Sequence, residues 1–456
     1  MDKTSATPLL NNSTFLSAPD VWIAGEENLR PATIFTILKE VLGLQLDLNT
    51  DLKIEPLLDG NTFLNLYEIS GLKIKGINKV YYELVSGCGS FVDYVVAISD
   101  TKPASCKEYT QVIEENSTRP SDAGNMTTQR LTKFVYSKIF YPYLKNLTFL
   151  NIIPNFKKEK LPKNYIRNCR LYNTLGVKAI LCDQGGNDKS PPWNPYISIE
   201  ELLCEHSPVI KPRTDYLFGI ERKNDSIYIN AKLRNGKKGM LSDPNVGYCV
   251  AIAYICKRIF NFEGDIIIEN HKLPENWLNK TRSNKLIQIC DKLQMKFRYL
   301  SKTISPTCGR YPIEKYFVTE VRGEKKVSIL HEVISNNKGV KTIYSNHAGC
   351  ERGYFITSNG EHKQVPKNIK IPDLVTIDQD KKEIFVYEAE MYDNYDKGVK
   401  QIRGFGKFIK FIQRYYPDYK IKKHITLNGG KDFKDNVAFQ ILDNNKWRSN
   451  EEVRGY

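Results

Sequence analysis

The strongest constraint on how this chain folds lies near its C-terminus, where two short β-type runs carry acids among apolar residues. The first is Ile371-Pro372-Asp373-Leu374-Val375-Thr376-Ile377-Asp378, and the second is Phe385-Val386-Tyr387-Glu388-Ala389-Glu390. Side chains alternate along a strand, so Glu388 and Glu390 share a face with Val386. A neighbouring strand that brings Asp373 beside them would gather three carboxylates. Like charges in an apolar setting repel strongly, and a hard cation is the usual means of neutralising them. The apolar flanks Leu374-Val375 and Phe385-Val386 speak against a merely solvated charged strand. The pattern predicts metal-assisted phosphodiester chemistry on a sheet.

The surrounding pattern is mixed. Strands are expected at 327–335, 341–345, 354–358, 373–378 and 383–390. One helix follows from about Asp393 to Tyr416, its apolar face made of Val399, Ile402, Phe405, Phe408, Ile409 and Ile412. Strands at 419–427 and 437–442 complete this part. Upstream, Pro31 opens a helix that closes near Gly43, and β-type runs occupy 79–85, 91–96 and 109–115. A helix is expected from about Thr127 to Tyr141. The stretch 150–245 is rich in Pro, Gly and Asn and reads as looser, with a hairpin over 225–239 turning at Asn235-Gly236. Ser242-Asp243-Pro244-Asn245 caps an apolar helix over 246–260, and Asp265-Ile266-Ile267-Ile268 reads as a buried strand. The expected class is α/β: a mixed β-sheet flanked by helices, in two α/β units with an α+β middle region. Residues 1–150 form the first region, 151–310 the middle (a region of candidate DNA contacts, separate from or continuous with the first), and 325–456 the last.

A length of 456 residues allows two or three cores, and 41% hydrophobic with 26% charged residues is an ordinary globular balance. The net charge of +15 favours an anionic partner. The ten cysteines form no C-x-x-C pair, so they read as reduced thiols of a cytoplasmic protein. The first ten residues lack the features of a secretory signal, and the longest apolar stretch, Val246 to Cys256, is far shorter than a membrane span. No G-x-x-x-x-G-K-S/T loop occurs, which argues against an ATP-driven helicase–nuclease.

Pro372-Asp373, fourteen intervening residues and then Glu388-Ala389-Glu390, followed by a helix with Lys400 and Gln401, resembles the active site of the PD-(D/E)xK nuclease superfamily, in particular type II restriction endonucleases. The resemblance covers roughly residues 340–445. It implies a restriction-endonuclease-like fold, Mg²⁺ held by Asp373 and Glu388, and cleavage leaving a 5′-phosphate and a 3′-hydroxyl. The family usually has Lys where this chain has Glu390. A carboxylate there would bind a second metal or act as general base for the attacking water. Glu351 is a candidate additional acid. Glu361 reads more readily as a surface carboxylate, and His347 as a structural residue.

A second constellation repeats the logic: Asp93 in an apolar run, then Glu114-Glu115-Asn116-Ser117 before a helix carrying Gln129-Arg130. The stretch Gly87 to Phe134 resembles another restriction-endonuclease pattern, with Asn116-Ser117 where that pattern has Thr-Lys. On that alignment Asp93 and Glu115 are ligands and Ser117 replaces the lysine. Strand phase against the C-terminal motif instead selects Glu114 and Asn116, and both phases stand. Lys232, Arg234, Lys237 and Lys238 are candidate phosphate contacts, weighed against a solvated hairpin tip.

The function expected is that of a type II restriction endonuclease: Mg²⁺-dependent, sequence-specific hydrolysis of double-stranded DNA in a restriction–modification system. It is expected to work as a homodimer, with a cognate DNA methyltransferase as functional rather than physical partner. A repair or recombination nuclease of the same superfamily, and a non-catalytic DNA-binding protein with degenerate acid clusters, are the alternatives.

Overall fold

The computed structural model describes residues 18–25, 29–47, 52–59, 62–84, 92–116, 123–153, 161, 163–183, 185–206, 218–231, 244–269 and 289–297. It further describes 340–345, 354–366, 368–391, 394–428, 438–443 and 446–449. The predicted strand 327–335 lies outside these residues.

In chain order the elements begin with β1 (Asp20–Gly25), α1 (Pro31–Thr36), β2 (Leu46–Asp47), β3 (Lys53–Asp59), β4 (Thr62–Ser70), β5 (Lys73–Ile74), β6 (Val80–Leu84) and β7 (Tyr94–Ser99). Then come β8 (Gln111–Asn116), α2 (Ala123–Phe140), β9 (Asn146–Ile152), α3 (Lys163–Thr174), β10 (Val177–Cys182) and α4 (Ile199–His206). The middle continues with β11 (Phe218–Lys223), β12 (Ser226–Ala231), α5 (Pro244–Tyr254), β13 (Asp265–Glu269) and β14 (Met295–Phe297). The C-terminal part holds β15 (Val340–Ser345), β16 (Tyr354–Ile356), β17 (His362–Gln364), β18 (Leu374–Asp378) and β19 (Glu383–Met391). It ends with α6 (Tyr395–Arg403), α7 (Gly406–Gln413), β20 (Lys420–Asn428), β21 (Ala438–Asp443) and β22 (Lys446–Ser449). The class is mixed α/β. Among the described residues, no helix is long and apolar enough to cross a membrane.

Two compact units divide the chain, and neither is continuous in sequence. Described residues within Arg30–Leu44 and Tyr109–Pro312 form one; those within Ser13–Leu29, Gln45–Glu108 and Ile313–Tyr456 form the other. In the first unit β8, β9 and β10 run parallel, joined by α2 and α3. The stretch read as loose is largely regular here. Buried Phe149, Leu150, Tyr172 and Ile180 give β9, α3 and β10 a core that their polar neighbours mask in a sequence pattern. α1 starts with Pro31 at its first position, where the missing N–H costs nothing, and continues as a π-helical turn to Val41 before Gly43 at φ +67.

The described residues of this unit hold a hairpin that was not expected. Ile227–Ile229 lies in β12, whose antiparallel partner is β11 and whose other edge pairs in parallel with β13. The turn therefore falls at Asn224-Asp225, with Asn224 at φ 53. Both edges of β12 are occupied. Asn235-Gly236 itself lies outside the described residues. α5 starts at Pro244, and its buried run of Cys249 to Ala253 continues through Ile255 and Cys256 as a π-helical turn.

In the second unit β7, β1, β6, β4 and β3 lie side by side. The C-terminal sheet has the order β15-β18-β19-β20-β21-β22. β15, β18 and β19 are antiparallel to one another, whereas β20 is parallel to β19 and β21 to β20. The helical segment crosses between β19 and β20, and buries Val399, Ile402, Phe405, Phe408, Phe411 and Ile412 with Ile384, Val386, Ile425 and Leu427.

That segment is two helices rather than the single one expected. Apolar residues at 399, 402, 405 and 408 step by three, and keep one face only if the turn tightens to three residues. The break does this: Gly404 N–H bonds Gln401 O at 2.8 Å and Phe405 N–H bonds Ile402 O at 3.3 Å. Gly404, one of three glycines in the segment, sits at the junction.

The same succession of elements occurs in both units. β11 and β12 are antiparallel, α5 follows, and β13 and β14 add in parallel; β18, β19, α6–α7, β20 and β21 repeat this order.

Candidate active site on the C-terminal strands

Pairing between β18 and β19 runs from Asp378 with Glu383 to Leu374 with Tyr387. One step further along this register sets Asp373 opposite Glu388. Pro372 then ends the ladder, because it has no N–H to give. The Asp373 carboxylate takes over: its Oδ2 accepts the Ala389 N–H at 3.0 Å, while the Asp373 N–H donates to Tyr387 O at 3.1 Å. Proline and aspartate together thus finish the strand pair and fix the acid against β19.

Glu388 and Glu390 lie two residues apart in β19 and are 2% and 1% exposed, deeper than solvated strand acids would be. Burying ionised carboxylates is costly unless partners compensate. Glu390 has one in Lys397 of α6, whose Nζ stands 3.0 Å from Glu390 Oε1. β20 supports the other acid through the backbone, with Thr426 Oγ1 donating to Glu388 O at 3.4 Å. Gly398 lets α6 approach, since a Cβ there would stand 3.2 Å from Glu390 Cγ.

The opposite face of the same strands is aromatic. Tyr387 and Phe385 lie beside the ring of His424 on β20, at centroid distances of 5.3 and 5.4 Å. Burial pushes the Tyr387 hydroxyl up to about 12. Burial, helped by Lys422, pushes His424 down to about 4, against a smaller opposing effect of Glu383. Among the described residues, neither ring nitrogen of His424 has a hydrogen-bond partner.

Carboxylate oxygens are the ligand type that suits a hard cation, and Mg²⁺ commonly takes one or two of them, completing its shell with water and phosphate oxygens. Asp373 and Glu388 are the pair that would hold such an ion. Among the described residues, however, no three His, Cys, Asp or Glu side chains are grouped to hold a metal. Asp373 Oδ2 is engaged by β19 and Glu390 Oε1 by Lys397.

Lys397 stands at these acids although the sequence pattern points instead to Lys400, which is exposed, and Gln401, whose Oε1 is buried without a partner among the described residues. The available signal was a lysine in the first helical turn after the acid-bearing strand.

Asp93 is buried at 4% exposure just before β7, in the second unit. Glu114 and Glu115 belong to β8 of the first unit, where their backbones pair with Phe149 and Leu150. Their side chains lie outside the described residues, as do Ser117, Glu351, His347, Lys232, Arg234, Lys237 and Lys238. Glu361 is 60% exposed and pairs with Lys363, a surface role. Burial raises the thiols of Cys169, Cys256 and Cys290 well above the usual range, so these are poor nucleophiles.

No protein-family model matches the chain, and no curated protein matches it in sequence.

Proposed function

We propose that the chain is a Mg²⁺-dependent endonuclease that hydrolyses double-stranded DNA at defined sequences, acting as a cytoplasmic homodimer in the manner of a type II restriction endonuclease. The observation that carries this reading is the pair of buried carboxylates, Glu388 and Glu390, on one strand with Asp373 facing it across the register. A restriction-endonuclease-like fold is supported by the antiparallel β18–β19 pair, the crossing helices and parallel β20. The net charge of +15 favours a polyanionic substrate.

Asp373 and Glu388 would hold the ion, which when bound acidifies water and stabilises charge on the phosphate. Glu390, whose charge Lys397 already offsets, takes a proton from the attacking water. The water oxygen bonds to phosphorus as the bond to the 3′-oxygen breaks. That oxygen takes a proton from solvent, leaving a 3′-hydroxyl and a 5′-phosphate. Asp93 is the rival acid for this chemistry.

Incubating the full chain with plasmid DNA, with and without Mg²⁺, tests the reading. Fixed fragments that need Mg²⁺ support it. Smearing or junction cleavage means a repair nuclease, and intact DNA with a gel shift means a binding protein; either result overturns it.

A further inference from the structure

We propose that Lys397 is a catalytic residue whose ammonium contacts a non-bridging oxygen of the scissile phosphate; this rests on the nuclease reading above and deepens it. The ion pair with Glu390 is asymmetric. Glu390 is 1% exposed, while the Lys397 side chain keeps 61% of its surface in solvent. An ammonium has three N–H donors, and the bond to Glu390 uses one of them. The solvent-exposed ammonium keeps its remaining donors for a further acceptor.

The placement has no explanation in helix stability. Lys397 is the third residue of α6, in the first turn, where the helix dipole disfavours a cation. Its neighbour Gly398 removes the side chain that would hold α6 away from Glu390. The helix thus accepts an unfavourable charge and a poor helix former side by side, and both serve to bring an ammonium to the acids. Electrostatics supplies the need. A phosphodiester that approaches Asp373, Glu388 and Glu390 is repelled by all three. Fixed cations aimed at the phosphoryl oxygens are the standard remedy, and their removal commonly costs about 10²–10³-fold in rate.

The test compares wild type, Lys397→Met and Lys397→Arg. Met keeps the length of the stem and removes the charge, and Arg keeps the charge. Single-turnover cleavage in Mg²⁺ is expected to fall about 100-fold in Lys397→Met and to recover at least about tenfold in Lys397→Arg. DNA affinity is measured separately without metal as a function of salt. Loss of one phosphate contact reduces the slope of log K against log salt by about 0.9 in Lys397→Met, with thermal stability retained. A lysine that only props up the fold would lose melting temperature and leave the salt slope unchanged, which overturns the proposal. Wild-type cleavage together with Lys397→Met cleavage within about threefold overturns this inference alone. A wild type that cuts no DNA overturns the nuclease reading beneath it.

Discussion

Gly398 lies against the side chain of Glu390, and a Cβ at that position would stand 3.2 Å from Glu390 Cγ and 3.5 Å from Ile425 Cγ2. The glycine keeps α6 close enough for the neighbouring Lys397 to reach the buried acid. Ordinarily a helical Gly→Ala change gains up to about 1 kcal/mol. Gly398→Ala is expected to spend that gain on displacing Glu390, leaving stability within about 1 kcal/mol of wild type while cleavage falls at least about tenfold. Gly406→Ala is the control, since nothing lies within 4 Å of its added Cβ. That variant is expected to gain about 0.5 kcal/mol in urea unfolding and keep its cleavage rate. Undiminished cleavage by Gly398→Ala would refute the placement of Glu390 in the chemistry.

Asp373→Asn keeps an oxygen able to accept the Ala389 N–H and loses only the charge. The fold is expected to hold within about 1 kcal/mol, while Mg²⁺-dependent cleavage drops at least about 100-fold. Asp93→Asn is the matched comparison at the rival acid. If Asp93→Asn abolishes cutting and Asp373→Asn spares it, the C-terminal assignment is wrong.

His424 predicts a loss of stability in acid. Its pKa is lowered from 6.5 to about 4 in the folded chain, by burial first and Lys422 second. Between these values the unfolded chain binds the proton and the folded chain does not. Stability is therefore complete above about pH 6.5 and declines as pH falls towards 4, by about 2 kcal/mol at pH 5. Replacing the unpartnered imidazole by His424→Phe is expected to flatten this decline without loss at pH 7. Urea midpoints at pH 5 and pH 7 read it. His206 of the first unit, held near 3 by burial and by Arg167 and Arg170, adds a similar decline that the His424 variant leaves in place.

Arg170 predicts a stability effect remote from the acids. Its guanidinium bonds both Glu201 and Glu205, donates to Asn194 O at 2.9 Å and stacks 4.1 Å over the Tyr196 ring. Tyr196 in turn shares a 3.0 Å hydrogen bond with buried His206. Arg170→Met removes the cation that Glu201 and Glu205 share and the stack on Tyr196, and is expected to lower the melting temperature by a few degrees. A change below about 0.5 kcal/mol would mean that the cluster is only a solvated surface pair.

Alternation and apolar spacing placed β18, β19, the helical segment after them and β20 with little error, because each buries one face and the pattern records which. The same logic located α1, α5 and β13. It failed in the middle region, where α3 carries polar residues on its outer face and short strands hide between Pro and Gly. It also did not mark the turn at Asn224-Asp225 that joins β11 to β12. Nor does any local pattern reveal that β11 to β14 and β18 to β21 share one order of elements, since the similarity lies in connectivity.

By itself the sequence determined that acids would stand buried on a C-terminal strand, because side-chain direction along a strand is fixed by its two-residue period. Tertiary structure alone decided what those acids meet. Asp373 accepts from Ala389 because the ladder stops at Pro372, and Lys397 reaches Glu390 because the helix starts where it does and Gly398 lets it approach. Partners across elements depend on register, helix start and the distance of closest approach. Those are outcomes of packing rather than of pattern.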